Sequence, residues 1–202
     1  MNKPRHQTVI VNLFAGPGAG KSSMTFALLA KLKAMGVNCE GAFEYAKVGE
    51  WEGRTGKIRE AQFYIAAKQH FRQHVLDGEV QVVVTDGPFL LGIVYQKHAK
   101  RPLAHLTPLL IELHNQYDNI NFYVKRTKPY MQIGRSQTEH EARTKDTEVY
   151  DMLVEHNIPF TEIEYGDDGM AQIMSILEDR GLTKPWYDVV GANALHIGRD
   201  QT

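Results

Sequence analysis

Eight residues near the amino terminus combine flexible backbone, an ammonium and a hydroxyl in an order suited to phosphate. Ala15 to Ser22, inside VIVNLFAGPGAGKSS, reads A-x-x-x-x-G-K-S, with Ala15 where the pattern more often has glycine. Gly16, Gly18 and Gly20 allow positive φ, so the amides of the loop that also holds Pro17 and Ala19 can turn inward on an anion. Lys21 brings a mobile positive charge to the β and γ phosphates. The Ser22 hydroxyl is placed to ligate Mg2+, and Ser23 follows it into the next element. The ligands that this stretch predicts are ATP and Mg2+.

Such a loop works only between a strand and a helix. Val9, Ile10, Val11, Leu13 and Phe14 before it are strand-like, and Met24, Phe26, Ala27, Leu28, Ala30, Leu32 and Met35 after it repeat helically up to Gly36. The helix dipole then adds to the anion site. Further along, Val37–Tyr45 predicts a second strand, and Ile58–Leu76 a helix whose apolar face is Ile58, Ala61, Phe63, Ile65, Ala66, Phe71 and Val75. Val80–Thr85 is a β-branched run suited to a central parallel strand. Thr107 and Pro108 look like the N-cap and first position of a helix reaching about Asn115. Asn119–Val124 and Phe160–Tyr165 give two more strands, and Asp168–Arg180 a last helix. Alternation of this kind predicts an α/β fold with about five parallel strands and a ligand at their carboxyl ends.

Those strand ends carry more candidates. Asp86, in Thr85-Asp86-Gly87-Pro88, can hold Mg2+ directly or through water, or take a proton from an attacking group. No Glu follows it, so the water-activating carboxylate usual in motor ATPases is missing, which favours transfer to an acceptor over hydrolysis. An Asn-Lys-x-Asp guanine-reading motif is also absent. Glu44 can bind or deprotonate an acceptor hydroxyl, whereas an acceptor phosphate would call on Arg54 and Arg59. Tyr45, Trp51, Phe63 or Tyr64 can stack on a base, or pack as ordinary rim residues.

Charge is balanced over the 202 residues, at −1, but not evenly spread. Lys125 to Lys145 holds Lys125, Arg126, Lys128, Arg135, Arg143 and Lys145 against Glu139 and Glu141. This basic strip, at about 126–145, is expected to form a small lid. Arg135 and Arg143 lie about two helical turns apart and would share a face if the lid is helical, neutralising charge on a transferring phosphoryl group. His70 and His74 have the spacing of a helical metal pair but lack a third ligand, so the expected metal is Mg2+ alone, on Ser22 and Asp86. The chain reads as one domain, 1–202, with a tail from about 181. Cys39 is the one cysteine, so disulfides play no part. No apolar signal core or bilayer-length segment is visible, so no membrane partner is expected and the cytoplasm is the expected setting.

Taken together, the phosphate loop, Glu44-Tyr45-Ala46-Lys47, Trp51-Glu52-Gly53-Arg54, the pair Gln62 and Tyr64, and Thr85-Asp86-Gly87-Pro88-Phe89-Leu90-Leu91 near Tyr95 resemble the phage-encoded P-loop kinases. These are similar in turn to ribosylnicotinamide and nucleoside monophosphate kinases. Ile133-Gly134-Arg135 resembles the Asp-Gly-Leu-Arg turn of the ribosylnicotinamide kinase lid without its Asp and Leu, a departure that argues against a nicotinamide acceptor. Some members of the phage group phosphorylate 5-hydroxymethyluracil within DNA. The resemblance therefore implies an ATP- and Mg2+-dependent kinase of a nucleoside-type hydroxyl, most specifically 5-hydroxymethyldeoxyuridine in DNA, acting in a host cytoplasm. Lys97, Lys100 and Arg101 would then extend the lid into a basic groove. Free nucleosides or monophosphates, and a nucleotide-binding module or ATPase without acceptor, are the alternatives.

Overall fold

The computed structural model describes residues 7–53, 56, 60–131 and 137–190. At its centre β1 (Val9–Phe14) is buried along its whole length. It lies between β3 (Val82–Thr85) and β4 (Asp118–Lys125), with β2 (Cys39–Gly41) and β5 (Thr161–Glu164) outside them. All pairings are parallel, in the order β2-β3-β1-β4-β5. The helices are α1 (Lys21–Ala34), α2 (Ala46–Trp51), α3 (Gln62–His74), α4 (Leu91–Gln96), α5 (Leu106–His114), α6 (Glu139–Glu155), α7 (Asp167–Asp179) and α8 (Trp186–Val190).

Alternation along β1 divides the core. Val9, Val11 and Leu13 enter one cluster with Leu28 and Leu32 of α1 and Ile173 and Leu177 of α7. Phe14 enters another with Leu90, Ile93, Leu110, Met152 and Leu153. Each fully buried aliphatic side chain contributes about 1.5–3 kcal/mol, so a strand covered on both faces is the most strongly fixed element of the sheet. Register is fixed as well. The Asn12 amide donates from Nδ2 to Asn119 Oδ1 at 2.8 Å and to Asn121 Oδ1 at 2.9 Å, inside the β1/β4 pairing. A slip would leave these buried amides unpaired at about 1–3 kcal/mol each. The β1/β3 register pairs Asn12 with Thr85, so the phosphate loop and Asp86 leave the sheet side by side.

Three expectations need correction. The second strand is short: after Gly41 only the Ala42 N–H continues the ladder, to Val84 O at 2.9 Å, and Phe43 to Tyr45 turn away. The helix before His114 starts at Leu106 with His105 at its cap, because the Thr107 hydroxyl instead accepts from Gln96 Nε2 at 2.7 Å. The largest departure is α3, whose buried residues are Gln62, Ala66, Gln69 and Gln73 while Phe63 and Phe71 stand 54% and 60% exposed. Gln69 explains the inversion. Its Oε1 accepts from the Tyr45 N–H, and its Nε2 donates to Ala42 O and Thr85 Oγ1, so it terminates strands whose polar groups would otherwise be buried alone. Ile58 lies outside the described residues.

His114, at the end of α5, is buried against Phe89, and burial pushes its pKa down to about 4. The unfolded chain therefore binds a proton near pH 6.5 that the folded chain refuses. Stability is complete above that pH and falls as pH drops toward 4. His114→Phe should remove this loss, leaving the variant, relative to wild type, on the order of 2 kcal/mol better at about pH 5 than at about pH 7.5 in urea denaturation. An equal pH response in both proteins would contradict it.

Candidate functional site

The loop between β1 and α1 is closed by packing on both sides. A Cβ on Gly16 would fall 2.7 Å from Ala142 O and 2.6 Å from Asp146 Oδ1, both on α6. Gly20, at φ 109°, faces the Tyr165 ring so closely that any side chain there would overlap it. Gly20 is also the N-cap of α1, where no side chain caps and no acidic residue occupies the first turn. The first-turn amides thus have no N-cap side chain as acceptor, and with the helix dipole they are suited to an anion.

Lys21 is buried, with Nζ donating to Ala15 O at 2.9 Å and Gly16 O at 3.0 Å. Burial lowers its pKa; the carboxylates of Glu44, Asp86 and Asp146 pull it back up, and Arg126 pushes it further down. An ammonium held out of water and hydrogen-bonded to loop carbonyls would gain from an incoming phosphate. Beside it, buried Asp86 accepts the Glu44 N–H at Oδ1, 2.9 Å away. Gly87 makes that approach possible, since its added Cβ would lie 2.8 Å from Glu44 Cβ and 2.9 Å from Glu44 Cα. Lys21, Glu44 and Asp86, distant in sequence, therefore surround one crevice at the carboxyl edge of the sheet. Ser22 is half-buried in the first turn of α1. Its hydroxyl and the Asp86 carboxylate are hard oxygen donors, which fits Mg2+.

On the rim, Tyr45 and Tyr64 meet edge to face at 5.6 Å with their hydroxyls 2.9 Å apart. The Arg72 guanidinium lies 5.2 Å from the Tyr45 ring and donates to Phe43 O, and Phe43 stacks on Phe26 at 5.0 Å. Trp51 is 71% exposed at the end of α2. Arg143 sits on α6, exposed, its guanidinium held by Glu139 one turn away at 2.8 Å. Arg54, Arg59 and Arg135 lie outside the described residues. His70 and His74 share the Tyr117 hydroxyl, at 2.8 and 3.4 Å. Among the described residues no group of three or more His, Cys, Asp or Glu could hold a metal.

The sequence reading left Asp146 without a role and placed Arg126 only in the basic strip of the expected lid. Arg126, just past β4, donates from Nε to Asp146 Oδ2 at 2.7 Å and from Nη2 to Pro17 O at 2.7 Å. Asp146 in turn accepts the Gly16 N–H at 2.8 Å. An Asp in the second turn of α6, twenty residues beyond an Arg at a strand end, forms no local pattern; the loop glycine that must sit against a helix was the available signal.

Residues 10–168 match the family model described as an AAA domain. Among solved structures, the chain is similar to a NadR protein in complex with NAD and AMP-PNP, with a TM-score of 0.64 at 15% identity, covering 88% of this chain and 51% of that one. A NadR protein in complex with NR gives 0.61 at 16%, covering 88% and 53%. Thymidylate kinase from Ehrlichia chaffeensis gives 0.53 at 14%, covering 86% and 100%. The chain spans about half the length of the NadR proteins. No curated protein matches it in sequence. At these identities the likeness establishes the fold, that of P-loop kinases.

Gly87→Ala should cost about 1–3 kcal/mol in urea denaturation, because the backbone of Glu44 cannot step aside as a flexible side chain would. Unchanged stability would mean that Glu44 and Asp86 are not held this closely.

Proposed function

The chain belongs to the AAA domain family, and on that premise we propose that it is an ATP- and Mg2+-dependent kinase of a nucleoside-type hydroxyl. The observation that carries the reading is the uncapped start of α1 beside a buried Lys21, with two carboxylates across the crevice. The loop amides and Lys21 bind the donor phosphates. Ser22 and Asp86 would hold Mg2+, which when bound offsets phosphate charge. With Asp86 assigned to the metal, Glu44 is assigned the role of base. The acceptor oxygen attacks the γ-phosphorus, the bond to the β-phosphate oxygen breaks, ADP departs, and the hydroxyl proton passes to the Glu44 carboxylate. Arg143, with Arg135, is assigned to the closing lid, and Tyr45, Trp51, Arg54 and Arg59 to the acceptor side.

As acceptor we favour 5-hydroxymethyldeoxyuridine within DNA. Beyond the resemblance in sequence, the support is the outer face of α3. Tyr64, Lys68, Phe71 and Arg72 interleave exposed rings with cations there, and Gln62–His74 has no carboxylate. Rings and cations in alternation suit a nucleic-acid strand.

Labelled γ-phosphate should pass from ATP to DNA containing 5-hydroxymethyluracil, and Lys21→Ala or Asp86→Ala should reduce transfer by about 10²–10³-fold. Label on free nucleosides or monophosphates alone would refute the DNA acceptor and keep the kinase. ATP hydrolysis without any labelled acceptor would refute the kinase and leave a nucleotide-binding module or ATPase.

A further inference from the structure

The phosphate loop is rooted on two side chains, one just past β4 and one within α6. Its first root is Arg126, whose side chain is 4% exposed and reaches Asp146 and Pro17 O together. The second is Asp146, fixed to the Gly16 N–H by Oδ1, to Arg126 by both oxygens, and by its own carbonyl to the Tyr123 hydroxyl at 3.0 Å. Gly16 passes the constraint on, since its carbonyl accepts from Lys21 Nζ at 3.0 Å. A carboxylate on a phosphate-loop amide would by itself compete with phosphate for that amide and for Lys21. The bidentate guanidinium neutralises it.

Packing alone does not explain this pair. Buried ion pairs are often no more stable than apolar residues of similar volume. Here Arg126 Nη1 is in addition buried with no hydrogen-bond partner among the described residues, which costs free energy. What the pair contributes is geometry: it fixes Gly16 and Pro17 from the end of β4 and from α6, which lies tight against Gly16.

We propose that Arg126 and Asp146 are positioning residues that hold the first turn of the phosphate loop, and through Gly16 the Lys21 ammonium, in the geometry that receives the donor triphosphate. This deepens the reading of the loop as the donor site and rests on it. It concerns donor affinity and leaves acceptor affinity untouched.

The test uses Arg126→Met, Asp146→Leu, the double variant that replaces the pair by apolar side chains, and Arg126→Lys, which keeps the charge but cannot reach both partners. Each should raise both the KM for ATP and the Kd for AMP-PNP, measured by calorimetry, by about tenfold or more, with the acceptor KM within about twofold of wild type. The double variant should keep a Tm close to wild type, as expected when a buried pair is replaced as a unit. A folded double or Arg126→Lys variant with wild-type AMP-PNP affinity would overturn the proposal and leave the pair a structural ion pair. Lack of phosphate transfer to any acceptor would refute the kinase reading without touching the AMP-PNP comparison.

Discussion

Everything at the site depends on a loop with no room to relax. Gly16 lies against α6 and Gly20 against the Tyr165 ring, and neither position admits a Cβ without displacing backbone or ring. The chain therefore passes from β1 to α1 with no side-chain cap at Gly20 and no acidic residue in the first turn. Elsewhere a Ser, Thr, Asp or Asn would cap such a helix. Here a cap would fill the space open to an anion, and Lys21 Nζ has two loop carbonyls as its hydrogen-bond acceptors among the described residues.

The sheet supplies the second half of the geometry. β1 and β3 end together because Asn12 pairs with Thr85, and that brings Asp86 beside the loop. Glu44 joins them through an early end of β2, which Gln69 secures by satisfying Tyr45, Ala42 and Thr85 at once. Two carboxylates thus sit across from one ammonium at the carboxyl edge of a parallel sheet, where ligands of such folds bind. In electrostatic terms Lys21 is pulled in both directions, and burial prevails over Glu44 and Asp86. A bound phosphate would restore the balance.

Much of this was legible in the sequence for local reasons. The phosphate loop, the β-branched run of β3 and the helical repeat of α1 each carry their pattern within a dozen residues, and the α/β class follows from their alternation. The inner face of α3 was misread because Phe63, Phe71 and Val75 repeat as convincingly as a core face, while Gln69 faces inward to satisfy the backbone of Ala42 and Tyr45, distant in sequence. Thr107 failed as a cap for a similar reason, its partner being Gln96 on another helix. The Arg126 and Asp146 pair joins a strand end to a helix across the phosphate loop, and nothing in a linear pattern encodes such a meeting.

The most direct measurement is calorimetric titration of AMP-PNP with Mg2+, and of AMP, into wild type and Lys21→Ala. A loop built to hold the β and γ phosphates predicts that wild type binds AMP-PNP at least about a hundredfold more tightly than AMP, through charge-assisted hydrogen bonds. It predicts further that Lys21→Ala loses most of that preference while its AMP affinity stays the same. Equal affinity of wild type for the two nucleotides, or a preference unaffected by removing Lys21, would contradict it.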